Sequence, residues 1–156
     1  MRRAFLLVVV VSAVAVVATG CGSKPRPVTK AQYNAQLQRL GADLVQAGSQ
    51  VGQHLDIASF NQDISNLQDR LRDASKELKG VQPPADARLP NQRLAASFDD
   101  LADALEPVKD ARRESLPEGA KAFAGVAQTS APARQGRAAV RQLTRRGYSV
   151  GQMSSL

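Results

Sequence analysis

Three groups of residues in this chain have side chains able to act on a ligand or be acted upon. Cys21 is the only cysteine among 156 residues, and it stands just after the apolar run 4–17 and the small residues Ala18, Thr19 and Gly20. A thiol can be a nucleophile, a metal ligand or a site of covalent modification, and a single one cannot form a disulfide within its own chain. His54 is the only histidine. A transition-metal site takes three or four suitable ligands, and no Glu-x-x-His pattern accompanies His54. A lone histidine at a helix end reads as a satisfied or exposed side chain. The third group is the acidic series Asp99, Asp100, Asp103, Glu106 and Asp110. Paired carboxylates can share acid–base work, but this spacing follows a helical face and fits a solvated acidic surface. Neither Gly-x-Ser-x-Gly nor Ser-x-x-Lys occurs, and the chain has no Gly-rich phosphate loop and no Cys-x-x-Cys-His haem motif. No enzymatic activity, metal or cofactor is expected.

The surroundings of Cys21 give it a different use. Arg2 and Arg3 form a basic start, and an apolar stretch of about 14 residues follows, nearer a signal sequence than the roughly 20 residues of a spanning helix. The four positions Ala18-Thr19-Gly20-Cys21 resemble a lipobox. That resemblance implies a diacylglyceryl group on the Cys21 sulfur, cleavage after Gly20, and Cys21 as the first mature residue. Two acyl chains hold a protein firmly where one holds it marginally, since each buried methylene contributes about 0.8 kcal/mol. An uncleaved membrane helix, or ordinary cleavage leaving a free thiol, are the alternatives. Residues 21–28, with Pro25 and Pro27, read as an extended spacer of roughly 20 Å. Lys24 and Arg26 can sit near anionic headgroups, each contributing about 1 kcal/mol there.

Removing residues 1–20 of the 156 leaves 136, enough for one domain with its own core. Aromatic residues make up only 4% and there is no Trp, while Ala, Leu, Gln, Arg and Asp abound, as in helical proteins. The net charge of +7 is unevenly placed. Residues 130–156 carry Arg134, Arg137, Arg141, Arg145 and Arg146 with no Asp or Glu, whereas residues 4–129 are balanced. A basic helix can lie on anionic lipid or acidic wall polymer. Nucleic acid would be attracted by the same charge, but an export signal argues against it. The plainer reading is a solvated Arg-rich face. Arg134, Arg137, Arg141 and Arg145 are the candidate anionic-surface residues.

Helices must position all of this. The stripe Tyr33, Leu37, Leu40, Leu44, Ala47 and Val51 steps by four and three, as one face of a helix does. Thr29 is its expected N-cap. Phe60, Ile64, Leu67, Leu71, Ala74 and Leu78 repeat the pattern, with Ser59 and Gln62 at capping-box spacing and Gly80 then Pro83-Pro84 as stop signals. A third helix runs from near Pro90 to about Arg113 on Leu94, Phe98, Leu101, Leu105 and Val108, and Pro107 predicts a kink or break in it. Leu116-Pro117-Glu118 looks like a new start. Ala122, Phe123, Val126 and Ala127 give a short apolar face that Pro132 interrupts, and residues 133–146 resume with Val140 and Leu143 until Gly147. The expected fold is all-α: an antiparallel helical bundle of three strong helices and a broken fourth over residues 29–146, followed by a C-terminal tail at 147–156. An extended three-helix hairpin is the alternative.

The segment Leu78-Lys79-Gly80-Val81-Gln82-Pro83-Pro84-Ala85-Asp86 and the start Lys30-Ala31-Gln32-Tyr33 resemble a group of small actinobacterial lipobox-containing helical lipoproteins. Members often carry further cysteines, which this chain lacks. The resemblance implies location and architecture, and no activity. The sequence thus predicts a lipid-anchored module on the extracytoplasmic face of the cell membrane, binding or scaffolding at the envelope. Its partners would be the membrane, through the Cys21 diacylglyceryl, and an envelope protein, anionic lipid or wall polymer. A carrier of a small apolar ligand within the bundle is the alternative, since Pro107 and Pro132 can open it and many alanines leave room.

Overall fold

The computed structural model describes residues 27–53 and 56–155. Ala18, Thr19, Gly20, Cys21, His54 and the signal and spacer residues up to 26 lie outside them. Six α-helices follow in order: α1 Lys30–Gln50, α2 Ile57–Gly80, α3 Arg88–Ala104, α4 Glu106–Glu114, α5 Leu116–Thr129 and α6 Ala131–Arg145. Short 3-10 helices occupy Ala85–Ala87 and Gly151–Ser155. The described residues contain no strand.

Thr29 caps α1 as a full capping box. Its hydroxyl accepts from Gln32 N at 3.2 Å, and the Gln32 side chain accepts from Thr29 N at 2.9 Å. Tyr33, Leu37, Leu40, Leu44 and Ala47 are buried, as is the whole α2 stripe from Phe60 to Leu78. α2 starts earlier than the Ser59–Gln62 spacing predicts. Asp56 is the N-cap and accepts from Ser59 N at 2.8 Å. A carboxylate caps as well as a hydroxyl and also answers the positive end of the helix dipole.

The break expected at Pro107 falls at Leu105, between α3 and α4. Proline has no N–H for the preceding turn, and its ring clashes with the carbonyl there. The α2 side chain of Gln68, itself buried, donates to Ala102 O at 2.8 Å and to the Glu106 carboxylate at 3.0 Å, bridging the two halves. Leu94, Phe98, Leu105 and Val108 still face the core. The interruption expected at Pro132 falls at Ser130, between α5 and α6; Pro132 sits in the first turn of α6, where a missing N–H costs nothing, and Ser130 caps that turn through Ala133 N at 3.2 Å. Gly147, at φ +74, ends α6.

Neighbouring helices run antiparallel. Arg39 of α1 pairs with Glu77 of α2, Arg72 of α2 with Asp103 of α3, and Arg93 of α3 reaches Gln142 of α6. α4 and α5 pack chiefly on each other as a hairpin across the bundle. In the segment 147–156, read from sequence as a tail, three of the described residues join the core. Tyr148 is 4% exposed, Val150 6% and Met153 1%, and the 3-10 helix Gly151–Ser155 lies against α1 while also touching α6. It closes the bundle between those helices. Gly41 makes the close approach possible, because a Cβ there would meet Met153 N at 2.8 Å. Three apolar residues without a repeating period give too little pattern to be read in advance.

Candidate functional site

One end of the bundle gathers the start of α1, the end of α2, the start of α3 and the end of α6. The backbone enters it at Val28, whose N–H donates to Gln82 O at 2.9 Å. Tyr33 donates its hydroxyl to Asn91 Oδ1 at 2.8 Å, and Asn91 Nδ2 donates to Leu78 O at 2.8 Å, so one buried chain of bonds ties three helices together. Tyr33 and Tyr148 meet edge to face with centroids 5.5 Å apart. Tyr148 donates to the Asp86 carboxylate at 2.6 Å. That bond holds the Asp86 carboxyl below its usual range, helped by the charges of Arg146 and Lys30. Burial, then the Asp86 bond, pushes the Tyr148 hydroxyl up to about 12, and burial raises Tyr33 further still.

The surface of this end is basic. Lys30 lies over the Tyr148 ring at 4.8 Å and donates to Arg146 O at 3.2 Å. Arg88 opens α3 here, and Arg145 and Arg146 close α6; all four cations are exposed. Beside them Leu89 is 50% exposed, one of two large apolar side chains so placed among the described residues. The other, Ile57, starts α2 at the opposite end of the bundle.

The four arginines singled out from sequence fall into two pairs. Arg134 donates to Thr129 O, and Arg137 donates to Ala127 O at 3.1 Å and Gln128 O at 2.6 Å. These are the last carbonyls of α5, which have no helical partner and sit at the negative end of its dipole. Arg134 and Arg137 therefore join α6 to α5. Arg141 and Arg145 are exposed and make no ion pair among the described residues. Arg145 belongs to the basic end, and Arg141 lies one turn behind it. Lys30, Arg88, Leu89 and Arg146 were not singled out from sequence. Only the antiparallel topology brings residue 146 back beside residue 30.

The acidic series of α3 and α4 is distributed among separate partners. Asp99 pairs with Lys79, Asp103 with Arg72, and Glu106 with Gln68 and Lys109. The Lys79 bond holds Asp99 below the usual carboxylate range, and the Gln68 bond does the same for Glu106. Both are ionised at neutral pH and have no proton to give. No cluster of three metal-ligating side chains occurs among the described residues, and no described helix is long and apolar enough to cross a membrane.

The interior holds a second feature, a partly open cavity of about 130 Å³ between the bundle and α5. Leu44, Leu71, Phe98, Phe123, Val140 and Met153 are among its lining. No protein-family model, curated protein or solved structure matches this chain.

Proposed function

We propose that this chain is a lipid-anchored envelope protein on the extracytoplasmic face of the membrane, attached through a diacylglyceryl group on Cys21 after cleavage behind Gly20. Its helical domain serves as a binding or scaffolding module standing end-on to the bilayer. The observation that supports this reading is the basic end itself. Lys30, Arg88, Arg145 and Arg146 share the bundle end at which the chain enters from the spacer, with Leu89 exposed among them. A tether at that end would hold these cations against anionic headgroups, where each contributes about 1 kcal/mol. Asp86 lies within reach of the Arg146 and Lys30 charges, and its carboxylate accepts from Tyr148.

Two measurements test the reading. In the full chain expressed in its membrane, labelled lipid precursor should enter the protein and not its Cys21→Ala variant. The chain from residue 22, without the apolar run and the lipid, should then bind phosphatidylglycerol vesicles in a salt-sensitive way, and substitution of Lys30, Arg88, Arg145 and Arg146 by Gln should weaken that binding. Unlabelled parent protein rules out the anchor, and vesicle binding that ignores these four residues rules out the end-on contact.

A further inference from the structure

The cavity beneath α5 is built almost wholly from hydrocarbon. Its polar lining is Ser97 and Arg137, and both have partners: the Ser97 hydroxyl donates to Leu94 O at 2.8 Å, and Arg137 holds the end of α5. Leu67, Leu71, Leu94, Phe98 and Leu105 form the inner wall. A space with such walls offers water too few partners to hold it. An apolar cavity of about 150 Å³ in another protein stays dry and admits benzene or xenon. At about 130 Å³ this one is of similar size, well below the roughly 300 Å³ at which pockets for drug-sized ligands begin.

The covering element, α5, is lightly embedded. α5 packs mainly on α4 and more lightly on α6, and its Phe123, Val126 and Ala127 are only half-buried. Serine caps stand at both of its junctions, Ser115 before it and Ser130 after it. The α3–α4 break leaves the α4–α5 hairpin free of a continuous third helix. A group can enter beside Phe123 with small local movement, while α1, α2, α3 and α6 keep their mutual packing.

We infer that this cavity is a binding site for an uncharged hydrocarbon group of about benzene's size, entering beneath α5. Two sources supply that chemistry: a free small hydrocarbon, or the tip of a lipid acyl chain whose remainder stays outside the open side. No polar group in the lining is left over to select a head group. The cavity shares no lining residue with the basic end, so this inference and the end-on contact stand or fall independently.

Met153 gives a direct reporter, because the chain has two methionines and the other is Met1. The full chain, labelled with 13C at the methionine methyls, is placed in phospholipid nanodiscs, and Met153→Leu assigns the signal. Benzene and xenon should each shift the Met153 methyl in a saturable way. A phospholipid carrying a nitroxide at its acyl terminus should broaden that methyl if lipid tips are the source and leave it sharp if free hydrocarbons are. Ala127→Leu and, separately, Ala133→Leu fill the space from α5 and from α6. Each should abolish the response while the helical circular dichroism stays unchanged. A Met153 methyl that responds to none of the three probes overturns the site, as does a response that survives in both filled variants when each is folded.

Discussion

The Lys30 ammonium donates to the carbonyl of Arg146 across 116 positions of sequence, at 3.2 Å. That carbonyl belongs to the C-cap of α6, at the negative end of the helix dipole where carbonyls lack helical partners. The contact fixes the end of the Arg-rich helix to the beginning of the domain. Along α6, Arg134 and Arg137 serve the fold by holding the end of α5, while Arg141 and Arg145 face solvent.

Substitutions along α6 should divide accordingly. Arg134→Gln with Arg137→Gln leaves the α5 carbonyls short of charged donors and should lower stability by about 1–3 kcal/mol, with salt-dependent vesicle binding retained. Arg141→Gln with Arg145→Gln should leave the urea midpoint within error and weaken vesicle binding. Urea titration and vesicle sedimentation on the same four-substitution set check both. The reverse assignment would show that the inner arginines carry the surface contact.

The alkaline limb of stability should be set by tyrosine. The Tyr148 pKa is pushed from 10.0 to about 12 in the folded protein, and Tyr33 goes higher. A pKa raised by folding contributes stability that is whole below the unfolded value and is lost as pH climbs through the folded one. Unfolding free energy should therefore be level below about pH 10 and fall from there toward 12. With two tyrosines and no tryptophan, tyrosinate absorbance reads this without interference. Tyr148→Phe should flatten part of the limb, and two tyrosines titrating near 10 in the folded protein would contradict the burial described.

Gln68 should matter more than an ordinary polar residue on a helix. Gln68→Leu keeps the bulk and removes the donor to Ala102 O and Glu106, leaving Ala102 O at the proline break with only the long 3.3 Å bond from Leu105 N. The expected cost is about 1–3 kcal/mol. Glu106 should also titrate closer to the ordinary glutamate value, since the Gln68 bond is the first cause of its lowering. Carbon-13 NMR of the glutamate carboxyls follows that shift.

Gly41→Ala should undock the C-terminal segment. The added methyl meets the Met153 backbone nitrogen at 2.8 Å and its Cγ at 2.9 Å, so a main-chain atom must move. Overpacking of this kind costs about 1–3 kcal/mol. Amide exchange should quicken at residues 148–153 and stay slow in α2 and α3. Gly48→Ala, with open space at its Cβ position, is the matched control.

The long stripes of α1 and α2 could be read from sequence because they repeat at four and three for many turns: the anticipated positions from Tyr33 to Ala47 and from Phe60 to Leu78 are buried, while Val51, just past the end of α1, is half-buried. Pro107 announced its break for the local reason that proline has no N–H. The features that sequence hid are those made by distant partners. Gln68 looked like any polar residue on a helix until Ala102 stood opposite it. Tyr148, Val150 and Met153 follow no helical period, and their core role depends on Gly41 more than a hundred positions earlier. The basic end escaped notice for the same reason: Arg145 and Arg146 were visible as charges, but Lys30 and Arg88 join them only through topology. The cavity depends on how Phe123 lies over α3, which no periodicity encodes.

The stapling of the C-terminal segment onto α1 sets an order of events. Gln38 meets Ser149 across 111 positions and Asn34 meets the Ser149 amide across 115. Contacts so distant must wait for nearly the whole chain to be free, and topologies rich in them close slowly. For a polypeptide threaded N-terminus first through a narrow passage, α1 would emerge with its Gly41 face uncovered and would stay so until residue 153 arrived. The domain could not lock while still in transit, and its maturation would be timed by the emergence of its final segment.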